Sequence, residues 1–204
     1  MERRDFLIKS SLLAALGAVS IPIGSATEPM ELEDALKPTL LKAMKPLEHN
    51  GGMGIRVWMR SAMTNGLFSS VECAVAPKIM GPPPHFHDEL DEIMFVLEGI
   101  ASVVVEDEIV QVEAGGWHLR PRKIKHTFFN ASDKPLRFVD MYFNQPFEEY
   151  LERLFFELTA EKGFLEGSDA KIQEMIKLNE QFGVRFPAGA FEERDELVRQ
   201  FGLK

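Results

Sequence analysis

Between residues 55 and 143 the chain is a succession of short apolar runs with no stretch of helical period between them. That pattern restricts the fold more than any other feature of the sequence. Runs rich in Val, Ile, Phe and Met predict strands at Ile55–Met63, Phe68–Ala76, Glu92–Leu97, Ala101–Glu106, Glu108–Val112, Trp117–Arg120, His126–Asn130 and Leu136–Phe143. Asn65-Gly66, Glu98-Gly99 and Gly115-Gly116 supply tight connections. Many short strands at close spacing argue for an antiparallel sandwich or barrel, a mainly β fold.

After Pro146 the period changes. Phe147, Leu151, Leu154, Phe155 and Leu158 recur at helical spacing, Ala170–Phe182 predicts a second helix ending at Gly183, and Phe191–Phe201 a third. A tail of this length cannot bury a core of its own, so residues 146–204 are expected to pack on the strands. Ahead of the strands, residues 27–50 form an expected arm, in which Leu32, Leu36, Leu40 and Leu41 suggest a short helix broken at Pro38.

Residues 1–26 read as an export signal: a charged start, an apolar stretch from Ser11 to Ile23, and Gly24-Ser25-Ala26. Arg3-Arg4 followed by Phe6-Leu7 resembles a twin-arginine signal, which implies a periplasmic or other extracytoplasmic location. The other reading is an uncleaved N-terminal helix that anchors the protein or packs on it. The apolar stretch is too short to span a bilayer and contains Pro22, so no stable span is expected after cleavage. A formal charge of -9 over 204 residues argues against a nucleic-acid partner. Cys73 is the only cysteine, which excludes an intramolecular disulfide, and its apolar neighbours suit a small core residue.

Chemistry concentrates in two segments. In Pro82-Pro83-Pro84-His85-Phe86-His87-Asp88-Glu89-Leu90-Asp91-Glu92, the two histidines are two residues apart. On an extended chain they point to one face about 7 Å apart and can converge on one ion, with Phe86 on the other face. A turn over Asp88–Asp91 brings the Glu92 carboxylate back to the same point, with Asp91 as the rival ligand. The second segment runs from Gly115 through Trp117, His118, Arg120 and Pro121 to a strand opening with His126. Imidazole nitrogens beside a carboxylate suit a divalent transition metal, with Fe or Mn favoured and Ni, Zn or Cu possible. His49 and His118 fall outside this pattern and read as surface or supporting residues. Arg120, Arg122, Lys123 and Lys125 read as a basic turn or as partners of the acidic tail, and alternatively as a lure for an anionic substrate.

At these residues the chain resembles the cupin family. His85, His87, Glu92 and Gly99 match the first cupin motif, although three residues rather than five separate Gly81 from His85. Gly115, Pro121, His126 and Asn130 match the second, with Lys123 at a position that is usually Gly and Gly116 where Asp is frequent. The resemblance implies an antiparallel jelly-roll (cupin) β-barrel over residues 51–145, followed by a C-terminal helical tail of about three helices. It implies one metal ion in the barrel mouth on His85, His87, Glu92 and His126, with Glu92 both ligating and shuttling protons. Gln181-Phe182-Gly183-Val184-Arg185-Phe186 resembles tails of cupins related to quercetin dioxygenases. Four protein ligands on an octahedral ion leave two positions for a small-molecule substrate or O₂. The leading expectation is a metal-dependent dioxygenase acting on a small oxygen-chelating substrate. A metal-dependent sugar or keto-acid isomerase or lyase, and a non-catalytic small-ligand binder, are the alternatives. Phe128, Trp117, Met94 and Met141 are the expected pocket residues. A homodimer with residues 27–50 exchanged is a further implication of the resemblance.

Overall fold

The computed structural model describes residues 36–204, so the export signal and the first part of the arm, Leu32 included, lie outside the described residues. In chain order the elements are β1 (Met53–Met59), β2 (Phe68–Val75), β3 (Ile79–Met80), β4 (Phe86–His87), β5 (Asp91–Glu98), β6 (Ile100–Val105), β7 (Glu108–Glu113), β8 (Trp117–Arg120), β9 (His126–Asn130) and β10 (Leu136–Phe143). Helix α1 (Phe147–Glu152), helix α2 (Asp169–Phe182), β11 (Val184–Arg185) and helix α3 (Ala190–Phe201) complete them.

Strands pair antiparallel in a five-stranded sheet, β1-β2-β10-β5-β8, and a four-stranded sheet, β3-β9-β6-β7. Period-two burial decides which faces meet. Along β10, Leu136, Phe138, Asp140 and Tyr142 are buried while Arg137, Val139, Met141 and Phe143 are only partly covered. The buried set packs with Val71, Cys73, Met94 and Val96 against Ala101, Val103, Val112 and Phe128 of the other sheet. The Phe128 and Phe138 rings meet edge-on across this core at 5.0 Å. The jelly roll is an open one: two sheets packed face to face, with no ladder among the described residues closing them into a cylinder.

Every residue of β9 is buried, because both faces of that strand are covered. Its outward Phe129 packs with Met80 and Val104 under Leu197 and Leu203, so α3 seals the back of the smaller sheet. On the outer face of the larger sheet the buried Glu72 accepts hydrogen bonds from Arg137, Trp58 and Arg56. Arg56 also donates to the Lys45 carbonyl, which ties the end of the arm to β1.

Two expectations need correction. The first strand ends at Met59 rather than Met63, because Ser61–Thr64 forms a 3-10 turn closed by Asn65 at φ 50. Residues 36–48 contain no helix. Leu36 and Leu40 are exposed there, so no apolar face is buried that would offset the cost of nucleating one. The helix expected over Phe147–Leu158 is present, but its second half, Arg153–Glu157, widens into a π turn.

Candidate metal centre and its cavity

His85 and His126 face each other as an antiparallel bridge, exchanging backbone hydrogen bonds of 3.0 and 2.8 Å. His87 follows on β4, and its carbonyl accepts from Lys123 N at 2.8 Å. Lys123 adopts φ 65, the left-handed conformation that glycine supplies more readily, so the turn geometry survives the substitution at that motif position. The three imidazoles come together with ring centroids 4.7–5.4 Å apart. Their ligand atoms lie within 4.8 Å of one another, and all three residues are buried.

The tautomers suit metal binding. Nδ1–H of His85 donates to the Pro83 carbonyl, and Nδ1–H of His126 to the Ile124 carbonyl, both at 2.9 Å. Each bond leaves the lone pair on Nε2. Burial, reinforced by His126 and His87, pushes His85 well below the ordinary imidazole value, so that ring is neutral near pH 7. The Nε2 atoms of His87 and His126 are buried and make no hydrogen bond among the described residues. Glu92 Oε1 lies 3.1 Å from the first and Oε2 3.3 Å from the second, without hydrogen-bond alignment. Buried nitrogens left unpaired beside a carboxylate are costly unless a further group is bound. The three histidines could hold a metal ion, and this donor chemistry fits a divalent transition metal.

Glu92 stands on the inner face of β5, opposite Arg120 on β8 and Tyr142 on β10. Arg120, buried to 2% exposure, pairs through one nitrogen with Glu92 Oε2 at 3.1 Å and Asp140 Oδ1 at 2.6 Å. Burial alone would raise the Glu92 carboxyl. The charge of Arg120 and the adjacent His87 and His126 outweigh it and hold the carboxyl well below its usual range. Two carboxylates share one guanidinium, and Asp140 carries the strain: burial lifts it to about 6 despite Arg120, with the Glu92 charge adding to the rise. Tyr142 Oη donates to Asp140 Oδ2 at 3.3 Å.

Beside this polar cluster lies a cavity of about 460 Å³. His85, Glu92, Arg120 and Asp140 line it together with apolar side chains, and the tail supplies Phe147, Tyr150, Leu151, Leu154, Phe155, Leu158 and Phe186. Strand β11 pairs with β4, Val184 opposite His87, and brings the tail onto the ligand strand. The Phe147 ring meets His87 edge-on at 5.0 Å and the Phe186 ring lies 5.9 Å from His85.

Of the expected pocket residues, Phe128 lines this cavity and the other three do not. Met94 is fully buried in the core. Met141 has the opposite parity on β10 and belongs to the outer face. Trp117 is 59% exposed on edge strand β8, stacked on Phe95. Asp91 does not rival Glu92: alternation turns it outward, where it binds Arg122. Asp88, in the turn between His87 and Asp91, accepts from Arg185 of the tail. The basic turn divides. Arg120 points inward, Arg122 pairs with Asp91 and Glu89, and Lys125 pairs with Glu193 of α3. His118 is half-buried beside the cluster, and burial together with the neighbouring Arg120 and His126 lowers its pKa. Sequence reasoning did not find Asp140 and Tyr142, although a carboxylate at a buried-parity position of an apolar strand was a visible signal.

Residues 71–142 match the family described as Cupin domain. No curated protein matches the chain. Among solved structures, KdgF from Halomonas sp. is 17% identical, with 48% of this chain and 84% of that one covered at a TM-score of 0.43. A Cupin 2 conserved barrel domain protein from Salinispora arenicola CNS-205 is 17% identical, with 52% and 90% covered at 0.43. An RmlC-like cupin from Shewanella frigidimarina NCIMB 400 is 17% identical, with 48% and 82% covered at 0.41. The stretch matched to that family carries the three histidines, Glu92, Arg120, Asp140 and Tyr142.

Proposed function

We propose that the protein is a mononuclear metal-dependent oxidoreductase, a dioxygenase acting on a small apolar substrate that presents oxygen donors to the ion. The observation that supports this most is the junction of the histidine cluster with a mostly apolar cavity. His85, His87 and His126 would hold the ion, with Glu92 as the fourth ligand. A bound divalent ion supplies Lewis acidity toward a chelating oxygen and, if redox-active, a route to O₂. The protein's own residues do the rest. Phe128, Phe147 and Phe186 would orient an apolar body and exclude water, while Glu92, which lines the cavity, would accept a proton from a hydroxyl on the substrate. The apolar lining weighs against the sugar isomerase reading, because sugar hydroxyls would lose their hydrogen bonds there.

Residues 1–26 are proposed as a signal for export, and the exposed Trp117 and Leu119 on edge strand β8 favour self-association as a homodimer. The test of function is oxygen uptake by Fe- or Mn-loaded protein against apolar aromatic diols, enediols and hydroxy acids. Uptake of one O₂ per substrate consumed is the expected result. Turnover that proceeds equally without oxygen, or no uptake by fully loaded protein across the panel, defeats the proposal.

A further inference from the structure

We infer that the cavity takes a singly charged carboxylate on a long apolar body, with its head beside Arg120. This inference rests on the metal reading above and deepens it.

Charge is the first argument. The buried ionisable groups at the polar end are Glu92, Asp140 and Arg120, with three histidines beside them. With both carboxylates ionised, the two of them and Arg120 together carry one net negative charge. A divalent ion turns it to one net positive charge in a medium of low dielectric. An uncompensated buried charge is costly, so the loaded site favours a ligand that brings one negative charge. The metal-free site repels the same ligand.

The second argument is the state of Arg120. One terminal nitrogen carries both ion pairs, and Nε is buried with no partner among the described residues. A guanidinium has five donors in a fork that matches a carboxylate, and this one lines the cavity with part of that capacity unused. Lys171 also lines the cavity, but it is already paired with Glu166 at 2.6 Å.

Shape is the third. Apart from the polar end, the wall is formed largely by aliphatic and aromatic side chains, with Leu151, Leu154, Phe155 and Leu158 following one another along the tail. Such a wall gains from each methylene it covers, about fourfold in affinity per group. The volume of about 460 Å³ falls within the range of sites for drug-sized molecules.

The experiment is calorimetric titration at pH 7.5 of full-length protein with octanoate, decanoate and dodecanoate and with the matching primary alcohols. It is run metal-free and metal-loaded, with metal content measured on the same samples. Loaded protein is expected to bind the acids at least tenfold tighter than the alcohols, with affinity rising along the series until the cavity is full. Metal-free protein should show no preference for the acid. Arg120→Gln should abolish the acid preference while retaining the alcohols, and Lys171→Met should leave the preference intact. Because Arg120→Gln strands two buried carboxylates and risks misfolding, Leu154→Phe provides a second check: it should shift the best chain length shorter at unchanged metal content. One ion per chain with acids and alcohols bound alike, or a preference lost in Lys171→Met instead, overturns this inference and leaves the metal reading standing. Failure of the wild-type protein to take up any ion overturns both.

Discussion

Replacing His126 with alanine separates the role of the ring as ligand from its role in packing. The backbone bridge between His126 and His85 does not involve the side chain, so the strand pairing survives the change. The metal-free variant loses the hydrogen bond from Nδ1 to Ile124, about 1 kcal/mol, and leaves a small cavity at a buried position. A total cost of about 1–3 kcal/mol leaves it folded, with its melting temperature lowered by roughly 2–12 °C. Metal should then have opposite consequences in the two proteins. At a free metal concentration one hundred times Kd, binding stabilises the wild type by about 2.7 kcal/mol, a rise of roughly 5–10 °C. Losing one of three clustered imidazoles should weaken binding by about a hundredfold or more, since even outer hydrogen-bond partners of ligands are worth 10- to 100-fold. The same metal concentration then equals Kd at best and adds about 0.4 kcal/mol, roughly 1 °C. Thermal melts with and without metal, paired with metal content by mass spectrometry, read both quantities. His118→Ala is the control, because that ring lies beside the cluster and outside the triad. A His126→Ala protein that keeps one ion per chain and the full thermal shift would refute the ligand assignment.

Three further outcomes follow from the fold. Gly99 sits at φ 80, and an added Cβ would meet the Pro135 carbonyl at 2.4 Å, so Gly99→Ala should cost about 2–5 kcal/mol in urea unfolding. Lys123→Gly relieves left-handed strain at φ 65 and gives back part of the gain as chain entropy, so a net stabilisation of about 0.5–1 kcal/mol is expected in the same assay. Burial raises the Glu72 carboxyl, but Arg137 and Trp58 hydrogen bonds outweigh it and hold the group below its ordinary 4.5. Its folded pKa is therefore depressed: the stability it contributes is complete above about pH 4.5 and fades as pH falls through the lower folded value. Glu72→Gln should lower stability near pH 7 and flatten its decline in acid, and an unchanged acid limb in pH-resolved melts would discount the Glu72 cluster.

The strands were legible because period-two alternation and tight-turn residues are local signals. The runs from Trp117 to Arg120, His126 to Asn130 and Leu136 to Phe143 coincide with β8, β9 and β10. The histidine cluster was legible for a related reason, since His-x-His on extended chain leaves few ways to point two rings. Strand β11 escaped detection because two residues carry no period, and its pairing with β4 spans nearly a hundred residues of sequence. Trp117 and Met141 were misjudged as pocket residues by their size. Their parity was in the sequence and places both on outer faces, opposite Tyr142 and Arg120. Arg120 was grouped with a basic turn because its three cationic neighbours are close in sequence. Alternation separates it from them, and only the register Glu92 opposite Arg120 shows where its charge is directed.

The tail covers this cluster and supplies much of the cavity wall beside it. The sheets alone would present His85 and His87 at the end of the sandwich, where water competes for every donor. Strand β11 hydrogen-bonds to the strand bearing His87, and Asp88 N donates to the Gly183 carbonyl at the junction. The position of a proposed ligand therefore depends on the same contacts that hold the tail. Phe147 and Phe186 then cover the rings, and in the drier space beneath them the Arg120 pairs with Glu92 and Asp140 strengthen. A charge imbalance in such a space cannot be relieved by solvent. It is relieved by protonation, as the rise of Asp140 to about 6 indicates, or by binding. The two carboxylates that would be a liability around one arginine would be balanced by a cation on the histidines, and the arginine would then remain to meet the proposed anion. On the proposed reading, helical tail, buried arginine and histidine cluster would act as one device, in which burial by the first makes the charges of the other two selective.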